Sequence, residues 1–205
     1  AWLGLLTAAG LAVRLVANRE ALAADELILA GHISGVSFGK MLSRVVEIEK
    51  TPPLGFILSW LASRIGTAPE WIRLPSLISG ALLVTAISEL GRRVGGRSVG
   101  LSSGLLAVVS PILVFYSVEA RSYSLTALFC AAAMIGVLAG RASPKWSIWL
   151  FVGLLEALAL LTHYVALSVV VVLALWAIRY CAGERRKVLT AQLFPICAGL
   201  LWLPW

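Results

Sequence analysis

Long apolar runs separated by short polar connections dominate this chain. A helix needs about 20 apolar residues to cross the hydrocarbon core of a bilayer, and most of the runs approach that length. A further apolar patch at 52–65, PPLGFILSWLASRI, is shorter and predicts an interfacial or re-entrant helix instead of a span. The pattern therefore predicts an all-α membrane protein: a multi-span helical bundle with an outer loop, 19–73, that carries interfacial helices. The seven predicted spans lie near 1–18, 74–90, 99–116, 124–140, 146–162, 164–180 and 188–205.

Composition supports this prediction. Of the 205 residues, 60% are hydrophobic and 13% are charged, whereas soluble domains carry about 25% charged residues. The net charge of +7 comes from positive residues in short clusters between apolar runs, which is typical of membrane topology and not of nucleic-acid binding. The chain starts at Ala1 instead of Met and stops at Trp205 directly after an apolar run. We therefore expect it to be the N-terminal part of a longer transmembrane domain, without the C-terminal remainder.

The basic residues also predict which connections face the cytoplasm. They cluster in every second connection, and the positive-inside rule makes those connections cytoplasmic. The intervening connections, EARSY and THY, and the loop 19–73 then lie on the outer side, provided that 52–65 does not cross the membrane. The clustered residues are Arg92, Arg93 and Arg97, then Arg141 and Lys145, and then Arg179, Arg185, Arg186 and Lys187.

Ionisable and aromatic polar side chains from distant segments converge on that outer face. Such residues are costly at a membrane and are functional candidates by default. The segments are ADELILAGH, EIEKTPPLGF, EWIRLPS, VEARSY and LTHYVA. Their candidate site residues are Asp25, Glu26, Glu49, Lys50, Arg73, Glu119, Arg121, Tyr123, His163 and Tyr164.

Each candidate taken alone also has a structural interpretation. Asp25 is a suitable N-cap for the helix that follows it, and Arg121 can extend to lipid headgroups. His163 lies where interfacial anchors occur, and for His32 the structural interpretation is the stronger one. The convergence of all of them on one face favours a functional site. Arg14 and Glu156, which lie deep in predicted spans, are instead predicted to form a structural contact, since an unpaired charge there is costly.

The order and spacing of these motifs resemble the GT-C membrane glycosyltransferases. The nearest resemblance is to the protein-mannosyltransferase-like and aminoarabinose-transferase-like superfamily, and it extends over residues 14–180. It implies an inverting transferase that moves a sugar from a polyprenyl-phosphate donor to a lipid, glycan or protein acceptor. The implied location is the outer face of a bacterial cytoplasmic membrane. The motifs are DE after the first span, EKTPPL before a short helix, RLPSLISG, GRRVGGRSVGL, SPILVFYSVEARSY and THY.

The resemblance also assigns roles to single residues. Asp25, the first acid of the DE pair, matches the catalytic carboxylate, with Glu26 beside it. Glu49 matches a contributor to a metal site, so a divalent metal is a possible cofactor. Lys50 matches a lysine that meets the donor phosphate. Thr51 stands directly before the two prolines, where many relatives have His.

The chemistry of such a transfer requires residues of these types. A carboxylate takes the proton of the acceptor hydroxyl as the new glycosidic bond forms. The leaving lipid phosphate is a stable anion, so its departure needs positive charge, which Lys50, Arg73 or Arg121 supplies. We expect Glu119 to hold Arg121 or another cation in place.

Two other functions fit part of the pattern. A multi-pass transporter or flippase would carry ionisable residues at mid-depth in several spans, but only Arg14 and Glu156 lie deep here. A non-catalytic subunit of an envelope complex gives no reason for the DE pair.

Overall fold

The computed structural model describes residues 2–18, 22–66 and 68–202, and the elements within these ranges are helical. The all-α prediction is confirmed for this part of the chain. A π-helical turn (Val45–Glu49) follows α3, and a 3₁₀ turn (Ala182–Glu184) precedes α10. The helices are α1 (Trp2–Ala17), α2 (Ala24–Ile33), α3 (Phe38–Arg44), α4 (Leu54–Ala62), α5 (Pro69–Val109), α6 (Pro111–Val118), α7 (Tyr123–Ala142), α8 (Trp146–Thr162), α9 (Ala166–Tyr180), α10 (Arg185–Ala191) and α11 (Leu193–Trp202).

The predicted spans correspond to helices of unequal length. Helices α1, α7, α8 and α9 follow four of them closely, whereas the last predicted span is divided between α10 and α11. By length and apolar composition, α5 and α7 are able to cross a membrane. Helices α1, α8 and α9 have 16, 17 and 15 residues and are shorter. The count of seven spans is therefore not confirmed. Residues 1, 19–21, 67 and 203–205 of the predicted spans and loop lie outside the described ranges.

Helix α5 is a hairpin of two helical limbs. The chain reverses at Gly96, whose φ of +80° belongs to a region that glycine adopts most readily. The limbs pack closely, because Ser88 Oγ donates a hydrogen bond to the Gly100 carbonyl at 2.7 Å. The predicted span 74–90 therefore lies in the first limb, and the predicted span 99–116 starts in the second limb. Pro111, which has no backbone N–H, begins α6 after the second limb.

The short helices of 19–73 form one core against the start of α5. Helix α4 has nine residues, about 14 Å of helix, which is too short to span a bilayer. A Cβ atom on Gly55 would collide with Ser122 Oγ, so glycine allows α4 to approach the connection between α6 and α7. This core fixes α2, the π-helical turn and that connection relative to one another. Its buried members are Leu29, Ile33, Met41, Val45, Phe56, Ile72 and Ala120.

The predicted contact between Arg14 and Glu156 is wrong. Glu156 Oε2 accepts a hydrogen bond from Gln192 Nε2 at 2.9 Å, and Arg14 Nη1 donates to the Gly10 carbonyl at 3.0 Å. Helix α1 packs on α5 and α6, whereas α8 packs on α7 and α11. The two side chains lie in different helix interfaces, and the sequence does not reveal which helices are neighbours.

The reversal in α5 gives a prediction about stability. Gly96→Ala should lower the free energy of unfolding by about 1–3 kcal/mol, because the backbone there disfavours any side chain. Gly4→Ala is the matched control, since Gly4 lies inside α1 with nothing within 4 Å of an added Cβ. It should raise stability by about 0.5–1 kcal/mol. Denaturant titrations in detergent micelles, followed by circular dichroism, would measure both, and equal effects would contradict the assigned backbone.

Candidate functional site

A buried ion pair between Glu26 and Arg73 lies at the centre of the candidate site. Arg73 Nε donates to Glu26 Oε1 at 2.7 Å, and Arg73 Nη2 donates to Oε2 at 2.5 Å. The backbone N–H groups of Ala120 and Ala23 donate to the same two oxygens at 2.7 and 2.9 Å. Arg73 Nη1 also donates to Asn18 Oδ1 at 3.1 Å. The carboxylate therefore connects α2, α5 and the connection that follows α6, and Arg73 extends the network to Asn18, directly after α1.

The Glu26 carboxylate is saturated by these contacts. The residue is 1% exposed. Burial raises the pKa of its carboxyl, but the hydrogen bonds from Arg73, Ala23 and Ala120 outweigh burial, so the pKa lies below its ordinary value. The carboxylate stays ionised and has no lone pair left for a substrate. This geometry suits a positioning role for Glu26 better than the predicted catalytic role. It also keeps the Arg73 guanidinium bound to Glu26 inside the protein.

Asp25 points away from this pair and reaches solvent. Neighbouring residues on an α-helix lie about 100° apart around the axis, so Asp25 and Glu26 occupy different faces of α2. The Asp25 side chain is 55% exposed, and Arg121 Nη2 donates to its Oδ2 at 3.0 Å. Asp25 therefore has an accessible carboxylate beside a guanidinium.

Arg121 is held by its backbone more than by its side chain. Its N–H donates to the Glu119 carbonyl at 2.7 Å, and its carbonyl accepts from Ser76 Oγ at 2.8 Å. Its Nε is buried without a hydrogen-bond partner among the residues that the structure describes. The acid hydrogen-bonded to the Arg121 guanidinium is Asp25, whereas Glu119 interacts with Arg121 and Arg73 through charge. Burial, and then the charge of Glu26, raises the pKa of the Glu119 carboxyl above its ordinary value.

Arg121 also lines a polar cavity of about 170 Å³. Thr51 also lines the cavity, and its Oγ1 is buried and has no partner in the described part of the chain. Asp25 does not line the cavity. Arg121 therefore contacts an accessible carboxylate and also lines a partly enclosed volume. The lining residues are Glu49, Thr51, Phe56, Arg121, Ser122, Tyr123, Thr162 and His163.

His163 contributes a neutral ring to the cavity wall. Its Nδ1 accepts a hydrogen bond from the Val165 N–H at 3.2 Å, which places the ring proton of the neutral form on Nε2. Burial, and then the charge of Arg121, lowers the pKa of His163 below its ordinary value. The ring lies 5.5 Å from the ring of Tyr123. His163 is therefore suited to donate a hydrogen bond from Nε2 at neutral pH.

Lys50 and Tyr164 meet through the backbone. Lys50 has a φ of +52°, and its carbonyl accepts a hydrogen bond from the Tyr164 hydroxyl. Trp202 Nε1 donates to the same hydroxyl at 3.2 Å. Tyr164 thus supports the chain directly after the π-helical turn, while the Lys50 side chain is exposed and outside the cavity.

The arrangement around Glu49 does not fit a metal centre. His32 Nε2 donates to Glu49 Oε1 at 3.2 Å. This histidine nitrogen would be a second metal ligand beside Glu49, but it is hydrogen-bonded to the Glu49 carboxylate itself. Within residues 2–18, 22–66 and 68–202, no three or more His, Cys, Asp or Glu side chains are grouped closely enough to hold a metal ion.

Of the predicted residues, Arg121, Tyr123, His163 and Glu49 line the cavity, and Glu26 and Arg73 form the buried pair. The other predicted residues belong to neither group: Asp25, Lys50, Glu119 and Tyr164. The sequence prediction omitted the cavity residues Thr51, Ser122 and Thr162 from the candidate site, since isolated hydroxyl residues give no signal in an apolar chain.

Comparison with known proteins identifies the family. A family model described as Dolichyl-phosphate-mannose-protein mannosyltransferase matches residues 50–204, well over half of the chain. The chain belongs to this family. Searches of curated proteins and of solved structures found no match.

Membership of this mannosyltransferase family implies glycosyltransferase activity of the mannosyltransferase type, and with the apolar helices it indicates a membrane-associated protein. The matched residues include Lys50, Arg73, Arg121 and His163. They do not include Asp25, Glu26 or Glu49, which precede the matched region.

The buried pair of this mannosyltransferase-family protein gives a prediction about pH. Glu26→Gln should lower the free energy of unfolding at neutral pH by about 3–5 kcal/mol, because it leaves the Arg73 charge buried and uncompensated. The folded pKa of Glu26 lies below its ordinary value, so its contribution is complete above about pH 4.3 and is lost as pH falls through the folded value. Denaturant titrations at several pH values should therefore show a weaker acid dependence in the variant.

The matched control is Glu184→Gln, which removes a more exposed ion pair with Lys187. This substitution should lower the free energy of unfolding by less than about 1 kcal/mol. Equal losses in the two variants would contradict the central role of the buried pair.

Proposed function

We propose that this chain carries the donor site of an inverting glycosyltransferase, which takes a sugar from a polyprenyl-phosphate donor at the outer face of the membrane. The observation that carries the proposal is the position of Arg121. Its guanidinium contacts the accessible carboxylate of Asp25, and the same residue lines the partly enclosed cavity. A phosphate in the cavity would meet an arginine whose Nε has no partner in the described chain.

In the proposed reaction Asp25 is the general base. Its carboxylate takes the proton of the acceptor hydroxyl while that oxygen forms a bond to the anomeric carbon. The bond from the anomeric carbon to the phosphate oxygen breaks on the opposite face, and the electron pair leaves with the lipid phosphate. The proton ends on Asp25 and the negative charge on the phosphate, so the anomeric configuration inverts.

Arg121 supplies the charge that stabilises the leaving phosphate. A guanidinium forms charge-assisted hydrogen bonds to phosphate oxygens, and these strengthen in an enclosed site where water is excluded. Thr51 Oγ1 offers a second donor from the cavity wall, and His163 offers a neutral one. Tyr123 lines the cavity, and Lys50 and Tyr164 extend this donor-binding surface beyond it.

Glu26 and Arg73 position these groups. The carboxylate of Glu26 accepts a hydrogen bond from the N–H of Ala120, the residue directly before Arg121. Glu26 also follows Asp25 directly on α2. The buried pair therefore fixes the base relative to the phosphate-binding arginine without contacting the substrate.

Asp25→Asn tests the catalytic assignment. Turnover of polyprenyl-phosphate mannose by the purified protein should fall by about two orders of magnitude or more, the usual scale for losing a general base. The asparagine amide oxygen still accepts from Arg121, so folding should persist. Glu70→Gln, which changes an exposed acid in the first turn of α5, should leave turnover unchanged.

Normal turnover in Asp25→Asn would remove Asp25 from the base role. Donor translocation in proteoliposomes without any sugar transfer would favour a transporter.

Cysteine labelling tests the proposed sidedness. In a background with Cys130, Cys181 and Cys197 changed to Ser, an impermeant maleimide added outside intact cells should label Ala68→Cys. It should not label Gly95→Cys, because the two positions lie at opposite ends of the first limb of α5. Labelling of Gly95→Cys from outside would reverse the orientation and place the site on the cytoplasmic side.

A further inference from the structure

The segment 45–51 has three unusual features next to the cavity. It contains the π-helical turn, and Lys50 follows in a left-handed conformation with a φ of +52°. Thr51 Oγ1 is then buried without a partner among the described residues. Short π-helical turns and left-handed non-glycine residues recur at functional sites, where the surrounding structure holds them in place.

This segment places Glu49 against a buried histidine. His32 is 8% exposed, and its ring packs edge-on against Phe56 at 6.4 Å between centroids. Its Nε2 donates to Glu49 Oε1 at 3.2 Å. The contact joins α2 to the π-helical turn and restricts the Glu49 side chain to the cavity wall.

The second oxygen of Glu49 is available to a ligand. A carboxylate accepts hydrogen bonds at both oxygens, and only Oε1 has a partner in the parts of the chain that the structure describes. The side chain is 15% exposed and lines the cavity. Glu49 Oε2 is therefore an acceptor that needs a donor from the occupant.

The polar groups of the cavity specify the chemistry of that occupant. Arg121 Nε and Thr51 Oγ1 are donors without partners in the described chain, and they suit an anionic oxygen. Glu49 Oε2 suits a hydroxyl and repels an anion. A bare phosphate satisfies only the donors, whereas a sugar joined to a phosphate satisfies the donors and the carboxylate together.

We propose that Glu49, held in place by His32, accepts a hydrogen bond from a hydroxyl group of the transferred sugar. His32 is then a positioning residue, and the two side chains contribute to sugar recognition. This inference rests on the proposed function and gives Glu49 a role different from the metal ligand that the family resemblance implies.

Binding measurements separate the sugar contact from the phosphate contact. Isothermal titration of the full chain in detergent micelles would use farnesyl phosphate as the probe without a sugar. The paired probes would be farnesyl-phosphate conjugates of mannose, glucose, galactose and arabinose. We expect at least one conjugate to bind more tightly than farnesyl phosphate.

Glu49→Ala should weaken the binding of that conjugate about tenfold or more, the scale of a hydrogen bond to a charged group. It should leave the affinity for farnesyl phosphate unchanged. His32→Leu should reproduce part of this loss, and His32→Gln, which retains an N–H donor for Glu49, should restore it. Glu47→Gln, an exposed acid of the same turn, is the matched control and should change neither affinity. Melting temperatures of all variants would identify any that fail to fold, and Glu49→Gln provides a nearly isosteric replacement if the alanine variant does.

The outcomes distinguish this inference from the proposed function. If Arg121→Lys leaves the binding affinity of both probes unchanged, the phosphate site and hence the proposed function are overturned. A different outcome overturns the sugar contact alone. In that outcome Arg121→Lys weakens the binding of both probes, but Glu49→Ala either leaves both affinities unchanged or lowers them equally. The sugar contact is also overturned if no conjugate binds more tightly than farnesyl phosphate, or if EDTA abolishes the difference, since that would make Glu49 a metal ligand.

Discussion

The hydrogen-bonded pair of Glu26 and Arg73 is the interaction on which the candidate site depends. Burying two charges is expensive, and their mutual attraction offsets that cost only when the geometry is close and the remaining lone pairs are satisfied. Both conditions hold here, because two backbone N–H groups complete the shell of the carboxylate. The requirement for full satisfaction is what connects α2, α5 and the connection after α6 at one point. Loss of either charge would therefore displace elements that are far apart in sequence.

Among the side chains next to this pair, some have structural roles and others are accessible to a ligand. On α2, Glu26 faces inward and is saturated, while the preceding acid, Asp25, faces solvent with a single arginine contact. Arg121 has its backbone fixed on both sides, its guanidinium contacts Asp25, and the residue lines the cavity. A rigid backbone under a partly satisfied guanidinium is suitable for ligand binding, because little ordering is needed when a phosphate arrives.

The cavity itself combines opposite polarities within a small volume. Arg121 and Thr51 offer donors, and Glu49 offers an acceptor whose orientation is set by His32. Two packing contacts make this arrangement possible: the His32 ring packs edge-on against Phe56, and Gly55 lets α4 approach Ser122. The polar site is therefore a consequence of how the short helices of 19–73 pack on α5.

The sequence by itself determined the helical class, the family resemblance and the short segments from which site residues come. These properties follow from local composition and spacing: apolar runs of helical length, basic clusters between them, and ionisable residues beside them. Only the tertiary structure decided which partners these residues have. It paired Arg73 with Glu26, Arg121 with Asp25 and His32 with Glu49, kept Arg14 apart from Glu156, and reversed the chain at Gly96. Such pairings depend on which helix faces meet and how deeply they are buried, and in an apolar chain many packings satisfy the same hydrophobic pattern. Buried hydrogen-bond geometry selects among them, and that geometry exists only once the helices have docked.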